Sequence, residues 1–112
     1  MSAVIARPTV WTKWQWPADV KQFAASHEGE EYVDPLREAL ARLFPTAVQA
    51  SAQVYQDSEL RDERHILFDV RVPNGDLADY VKAEWAWAHE LMRICPSIKL
   101  WMFGLYLVPL DS

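Results

Sequence analysis

The sequence predicts an α+β domain: two N-terminal helices, a β-hairpin, one long helix and a final strand, forming a small three-stranded, mainly antiparallel sheet with helix cover. Three observations carry this reading. Val48–Tyr55 and His65–Val72 alternate apolar and polar residues with the period of a half-buried strand. Leu36–Phe44 and Leu77–Cys95 carry apolar residues at the three-and-four spacing of an amphipathic helix. Ile98–Val108 is apolar on both alternating faces, as a strand covered on both sides must be.

Taken in order, Pro8–Trp16 (PTVWTKWQW) has a loose period of two and reads as an extended, Trp-rich arm within residues 1–16. Pro17 suits the first position of a short helix reaching Ser26, and the polar His27–Glu31 interrupts it. Asp34–Pro35 is a helix start, with Asp34 as N-cap; Leu36, Leu40, Leu43 and Phe44 share a face, and Pro45 stops the helix. In the first strand Val48, Ala50, Ala52 and Val54 face one way, and in the second Ile66, Phe68, Val70 and Val72 do so. The charged stretch Asp57–Arg64 between them is the hairpin loop. Pro73-Asn74-Gly75 ends the hairpin in a turn.

Asp76 then caps the longest helix, which runs to about Ile94, with Asp79 adding negative charge to its first turn. Its expected core stripe is Leu77, Tyr80, Val81, Trp85, Ala88, Leu91, Met92 and Cys95, and Pro96 closes it. A last strand beside Val48–Tyr55 makes the sheet wholly antiparallel. Beside His65–Val72 it pairs in parallel, through a right-handed crossover. The pattern leaves both open.

The 112 residues suit a single domain, 1–112, whose hydrophobic fraction of 51% supports one core. The net charge of −5 and the absence of any Lys/Arg cluster argue against a nucleic-acid partner and against an anionic membrane surface. The Met1–Pro8 start lacks the pattern of a signal peptide, and no apolar run is long enough to span a bilayer, so the cytoplasm is the expected compartment. The single cysteine leaves no internal disulfide framework.

Neither cofactor nor metal is expected. The three glycines form no phosphate-binding loop, there is no G-x-S-x-G elbow, and the histidines lack metal-ligand spacing. Glu84 falls inside the expected core stripe, where a carboxylate must be paired or protonated. It reads either as a general base or ligand-contacting group or, more economically, as a structural ion-pair partner of Arg71 or Lys99 or a carboxylate near the stripe's edge that snorkels to solvent. His65, Asp69 and Arg71 share the polar face of one strand, an acid–base set by residue type, although a solvated face is the simpler account. His89 lies toward the polar side of its helix. Cys95, at a helix C-terminus without a cationic neighbour, reads as core filler. The acidic loop carries Arg61 and Arg64 and lacks the spacing of a calcium loop. The six tryptophans suit a core or an interface better than base stacking, because no basic residues interleave with them.

The expected function is therefore a non-enzymatic protein-interaction domain acting as a homodimer, with another protein as a further possible partner. Its interface would comprise Trp87, Ile94, Trp101, Phe103, Leu105 and Leu107, which extend the doubly apolar last strand. An alternative is a small-ligand or enzymatic domain whose helix–sheet pocket holds Glu84 and Trp85, with His65 and Arg71 as further ligand contacts. A third is an acidic, antitoxin-like inhibitor of a basic protein.

Overall fold

The computed structural model describes residues 9–56, 64–77 and 79–110. The elements in chain order are α1 (Ala18–Ser26), α2 (Glu30–Leu43), β1 (Gln49–Gln56), β2 (Arg64–Pro73), α3 (Tyr80–Ile94) and β3 (Phe103–Leu110). Short 3-10 turns at Asn74–Asp76 and Ser97–Met102 flank α3. The α+β class is as the patterning predicts. Most of the charged hairpin loop, 57–63, lies outside the described residues.

The sheet order is β1-β2-β3, with β2 in the centre. β1 pairs antiparallel with β2, Ala52 opposite Phe68. β3 pairs parallel with β2, Phe68 opposite Leu105, which resolves the choice left open above and makes the sheet mixed. Period-two patterning sets the faces. Ile66, Phe68, Val70 and Val72 are fully or almost fully buried, while His65, Leu67, Asp69 and Arg71 on the other face are only half-buried. The core joins the first face to Val20 and Phe23 of α1, Leu36 and Leu40 of α2, Trp87 of α3, and Met102, Phe103 and Leu107.

Several local expectations are corrected. α2 begins a turn early, at Glu30, so Asp34 is not its cap and Pro35 lies inside the helix. The cause is tertiary. Gly29 packs so close to Met102 that an added Cβ would sit 2.5 Å from the methionine methyl carbon. Its N–H donates to the Ala24 carbonyl (2.8 Å), which joins α1 to α2, and Glu30 and Glu31 then oppose the helix dipole. Pro35, the sixth residue of α2, has no N–H to give the Glu31 carbonyl, so the helix forfeits that bond. Asp79, not Asp76, caps α3, accepting the Lys82 N–H at 3.1 Å. Only the second half of the last apolar segment is extended; Ser97–Met102 is a 3-10 turn.

Residues 1–8 of the expected arm lie outside the described residues, and part of the remainder is a turn and not extended. Residues 10–13 form a turn held by N–H groups of Thr12 and Lys13 on the Thr9 carbonyl. The Trp11 indole donates to the Phe44 carbonyl (2.8 Å), satisfying the C-terminal end of α2. Trp14 and Trp16 pack edge to face and both meet Phe68, with ring centroids 6.2 and 6.0 Å away. Trp16 also donates to Asp34 (3.0 Å). These three tryptophans therefore help to roof the sheet.

Candidate functional site

α3 is apolar on two faces, and the structure divides the expected stripe: Leu77, Leu91 and Cys95 meet the core, whereas Val81, Trp85 and Met92 are exposed and Trp87 is buried instead. Trp87 is 6% exposed and meets Phe68 edge to face at 5.7 Å. Ala83, Leu91 and Ile94 pack beside it. Glu90 bridges the flank of this face, with Arg93 at 2.6 Å and Arg42 of α2 at 3.5 Å, and the Arg93 bond holds its carboxyl below the usual range. The opposite face carries Val81, Trp85 and Met92, which are 59, 64 and 57% exposed, with half-buried Ala88 between them. Glu84 stands exposed on this outer side, so it is neither enclosed beneath the helix nor bonded to Arg71 or Lys99. The space between helix and sheet is filled by Trp87 and its neighbours instead.

The expected interface set is accordingly divided. Trp87, Phe103 and Leu107 are buried within this chain's own core, and Ile94 and Leu105 pack against that core. Trp101 remains open. The last strand gains its cover from the chain itself: the helices take the Phe103–Leu107 side, and Tyr106 projects from the other.

The ligand set divides too. His65 and Arg71 stand on the open face of the sheet, and Glu84 and Trp85 stand on the outer side of α3. On the open face, Gln53, Tyr55, His65, Leu67, Asp69 and Tyr106 line a depression of about 450 Å³. The Tyr55 and His65 rings are 5.4 Å apart, and the Arg71 Nε donates to Asp69 at 3.2 Å. A Cβ on Gly104 would come within 3.3 Å of the His65 ring. His65, Asp69 and Arg71 thus share one face as the pattern predicts. They form an open polar surface with no nucleophile between them.

Cys95 is buried, and burial pushes its thiol up to about 11, which suits packing and not catalysis. Tyr80 donates to the Leu107 carbonyl at 3.0 Å, and burial raises its hydroxyl above the ordinary value. Among the described residues, no group of three His, Cys, Asp or Glu side chains is placed to hold a metal. Among the described residues, no helix is long and apolar enough to cross a membrane.

One residue escaped the sequence reading. His27, assigned there to a polar break, stacks on Phe23 at 4.2 Å and meets Trp101 edge to face at 5.6 Å. Lys99 donates to its carbonyl at 2.6 Å. The Phe23–His27 spacing of one helical turn was the available signal. Comparison with known proteins finds no matching family model, no matching curated protein and no matching solved structure.

Proposed function

We propose that the chain is a protein-interaction domain that self-associates as a homodimer through the outer face of α3. One observation carries the reading: Val81, Trp85, Ala88 and Met92 follow one another at intervals of four, three and four along a single face, and the three large ones are more than half exposed. That is the spacing of a helix–helix seam. A two-fold axis between Trp85 and Ala88 of antiparallel helices sets the large indole of each copy against the alanine of the other. It sets Val81 against Met92 in the same way. An isologous interface needs this self-complementarity. Large apolar side chains contiguous on a surface are otherwise a solubility liability.

The pocket reading loses support because Glu84 and Trp85 are turned to solvent, away from His65 and Arg71. Sedimentation velocity across the micromolar range tests the proposal. A dimer is expected, and a single 13.0 kDa species at every concentration would refute it.

A further inference from the structure

The face of the sheet that the helices leave open carries an aromatic group of its own, apart from the core. Strand register places it. Tyr55 of β1 stands opposite His65 of β2, and four positions further along β2, Asp69 stands opposite Tyr106 of β3. Gln53 and Leu67, a facing pair, lie between the two rows. At about 3.3 Å per residue the rows are about 13 Å apart along the strand. These six side chains line the depression of about 450 Å³, a volume within the range of small-molecule sites.

Three features of the depression select its occupant. The first is its walls. The Tyr55 and His65 rings are 5.4 Å apart, and Tyr55 and Tyr106 are 43 and 55% exposed, so these rings are offered to a ligand and not spent on the core. The second is Gly104, which stands beside Leu67. A Cβ there would come within 3.3 Å of the His65 ring, so the missing side chain lets that ring lean over β3. The third is charge. Asp69 is the one carboxylate that lines the depression, and no Lys or Arg lines it. Arg71, one row further on, donates from Nε to Asp69 Oδ1 at 3.2 Å and holds the carboxylate in place. Among the described residues, Oδ2 receives no donor.

Ring faces carry the negative side of the aromatic quadrupole and attract organic cations. A carboxylate beside them adds direct attraction, and the chain's net charge of −5 favours a cation over an anion. A hard metal ion would need more oxygen ligands than one carboxylate supplies. We propose that this depression binds a small organic ammonium ion, with the cationic head between the Tyr55–His65 pair and Tyr106 and beside Asp69. The site lies on the sheet and the dimer seam on the outer side of α3, so either proposal can fail alone.

The test is NMR titration of the ¹⁵N-labelled full chain with choline at fixed ionic strength. Parallel titrations use dimethylbutanol, the uncharged carbon isostere of choline, and glucose as a neutral polyol. Choline should shift the amides lining the depression with millimolar affinity. It should bind about tenfold more tightly than dimethylbutanol, the scale of one cation–π contact together with one exposed ion pair. Asp69→Asn and Tyr106→Ala should each weaken choline about threefold or more, whereas Tyr106→Phe, which keeps the ring face, should leave it unchanged. Dimethylbutanol should be indifferent to Asp69→Asn, which separates a lost charge from a damaged fold. Equal binding of choline and dimethylbutanol, tighter binding of glucose, shifts confined to another surface, or no shifts at tens of millimolar choline would each overturn the proposal. Undiminished choline binding in both Asp69→Asn and Tyr106→Ala would overturn it too.

Discussion

Trp85 and Trp87 lie two positions apart, and their alanine variants should fail in opposite ways. Trp87 is 6% exposed against Phe68, and truncating a buried aromatic costs about 3–5 kcal/mol. A domain of this size commands roughly 5–15 kcal/mol in all. Trp87→Ala should therefore lower the melting temperature by roughly 15 °C, at about 4 °C or more per kcal/mol. Trp85 is 64% exposed. A tryptophan offers up to roughly 250 Å², so about 150 Å² of it remains to be buried by a partner, worth up to about 4 kcal/mol at 25 cal/mol per Å². Allowing for binding costs, an interface hot spot of about 2–4 kcal/mol is the realistic range. Because the substitution falls in both copies of the proposed two-fold dimer, Trp85→Ala should weaken it by at least about a thousandfold, and move monomer stability by no more than about 0.5 kcal/mol.

Thermal melts followed by far-UV circular dichroism, at concentrations low enough to keep the chain monomeric, read the first quantity. Sedimentation reads the second. Separating them matters because association itself raises apparent stability. A monomer destabilised by Trp85→Ala and indifferent to Trp87→Ala would show that α3 is rotated by half a turn from the arrangement described, and both arguments would fall together.

Gly29→Ala meets only the far end of the flexible Met102 side chain, so it should cost about 1 kcal/mol in a urea melt, the low end of overpacking costs, and the penalty should shrink in a Met102→Ala background. Glu84→Gln, at an exposed position, should change stability by less than about 0.5 kcal/mol; a larger loss would mean a partner that the exposed geometry does not provide. Cys95 is raised from 9.0 to about 11. The unfolded chain therefore releases its thiol proton first, and stability should decline as pH rises through that window. Melts of wild type against Cys95→Ala across it isolate this contribution, and identical slopes would refute it.

The strands were legible because a sheet with one solvated face imposes period two directly on the residues. Ile66, Phe68, Val70 and Val72 against His65, Leu67, Asp69 and Arg71 needed no further information. The start of α2 was not legible. Asp34–Pro35 is a good local signal, yet the helix begins at Glu30 because Gly29 admits Met102, a residue distant in sequence. The tryptophans of the arm show the same limit. Their β-like spacing is real, but Trp11 is anchored by a carbonyl at the end of α2 that only the folded chain brings near. The cleft between α1 and the Val54–Arg64 end of the hairpin was out of reach for the same reason.

α3 shows why a helical pattern can be clear and still mislead. At 3.6 residues per turn, Trp85 and Trp87 point about 200° apart, so the helix presents a plausible core face in either direction. Hydropathy alone does not choose between them. Shape does: the Trp87 side meets Phe68 with Ala83 beside it, while Arg42 and Arg93 converge on Glu90 at its flank. The face that loses this competition keeps its apolar residues, and Val81, Trp85 and Met92 stay more than half exposed on it. A helix that needed only to cap a sheet would require one such face, and the second, at seam spacing, is what motivates the proposed dimer. Of the expected ligand contacts, His65 and Arg71 share the open face of the sheet as the pattern predicts, because their placement depended on strand parity and not on which way α3 turned.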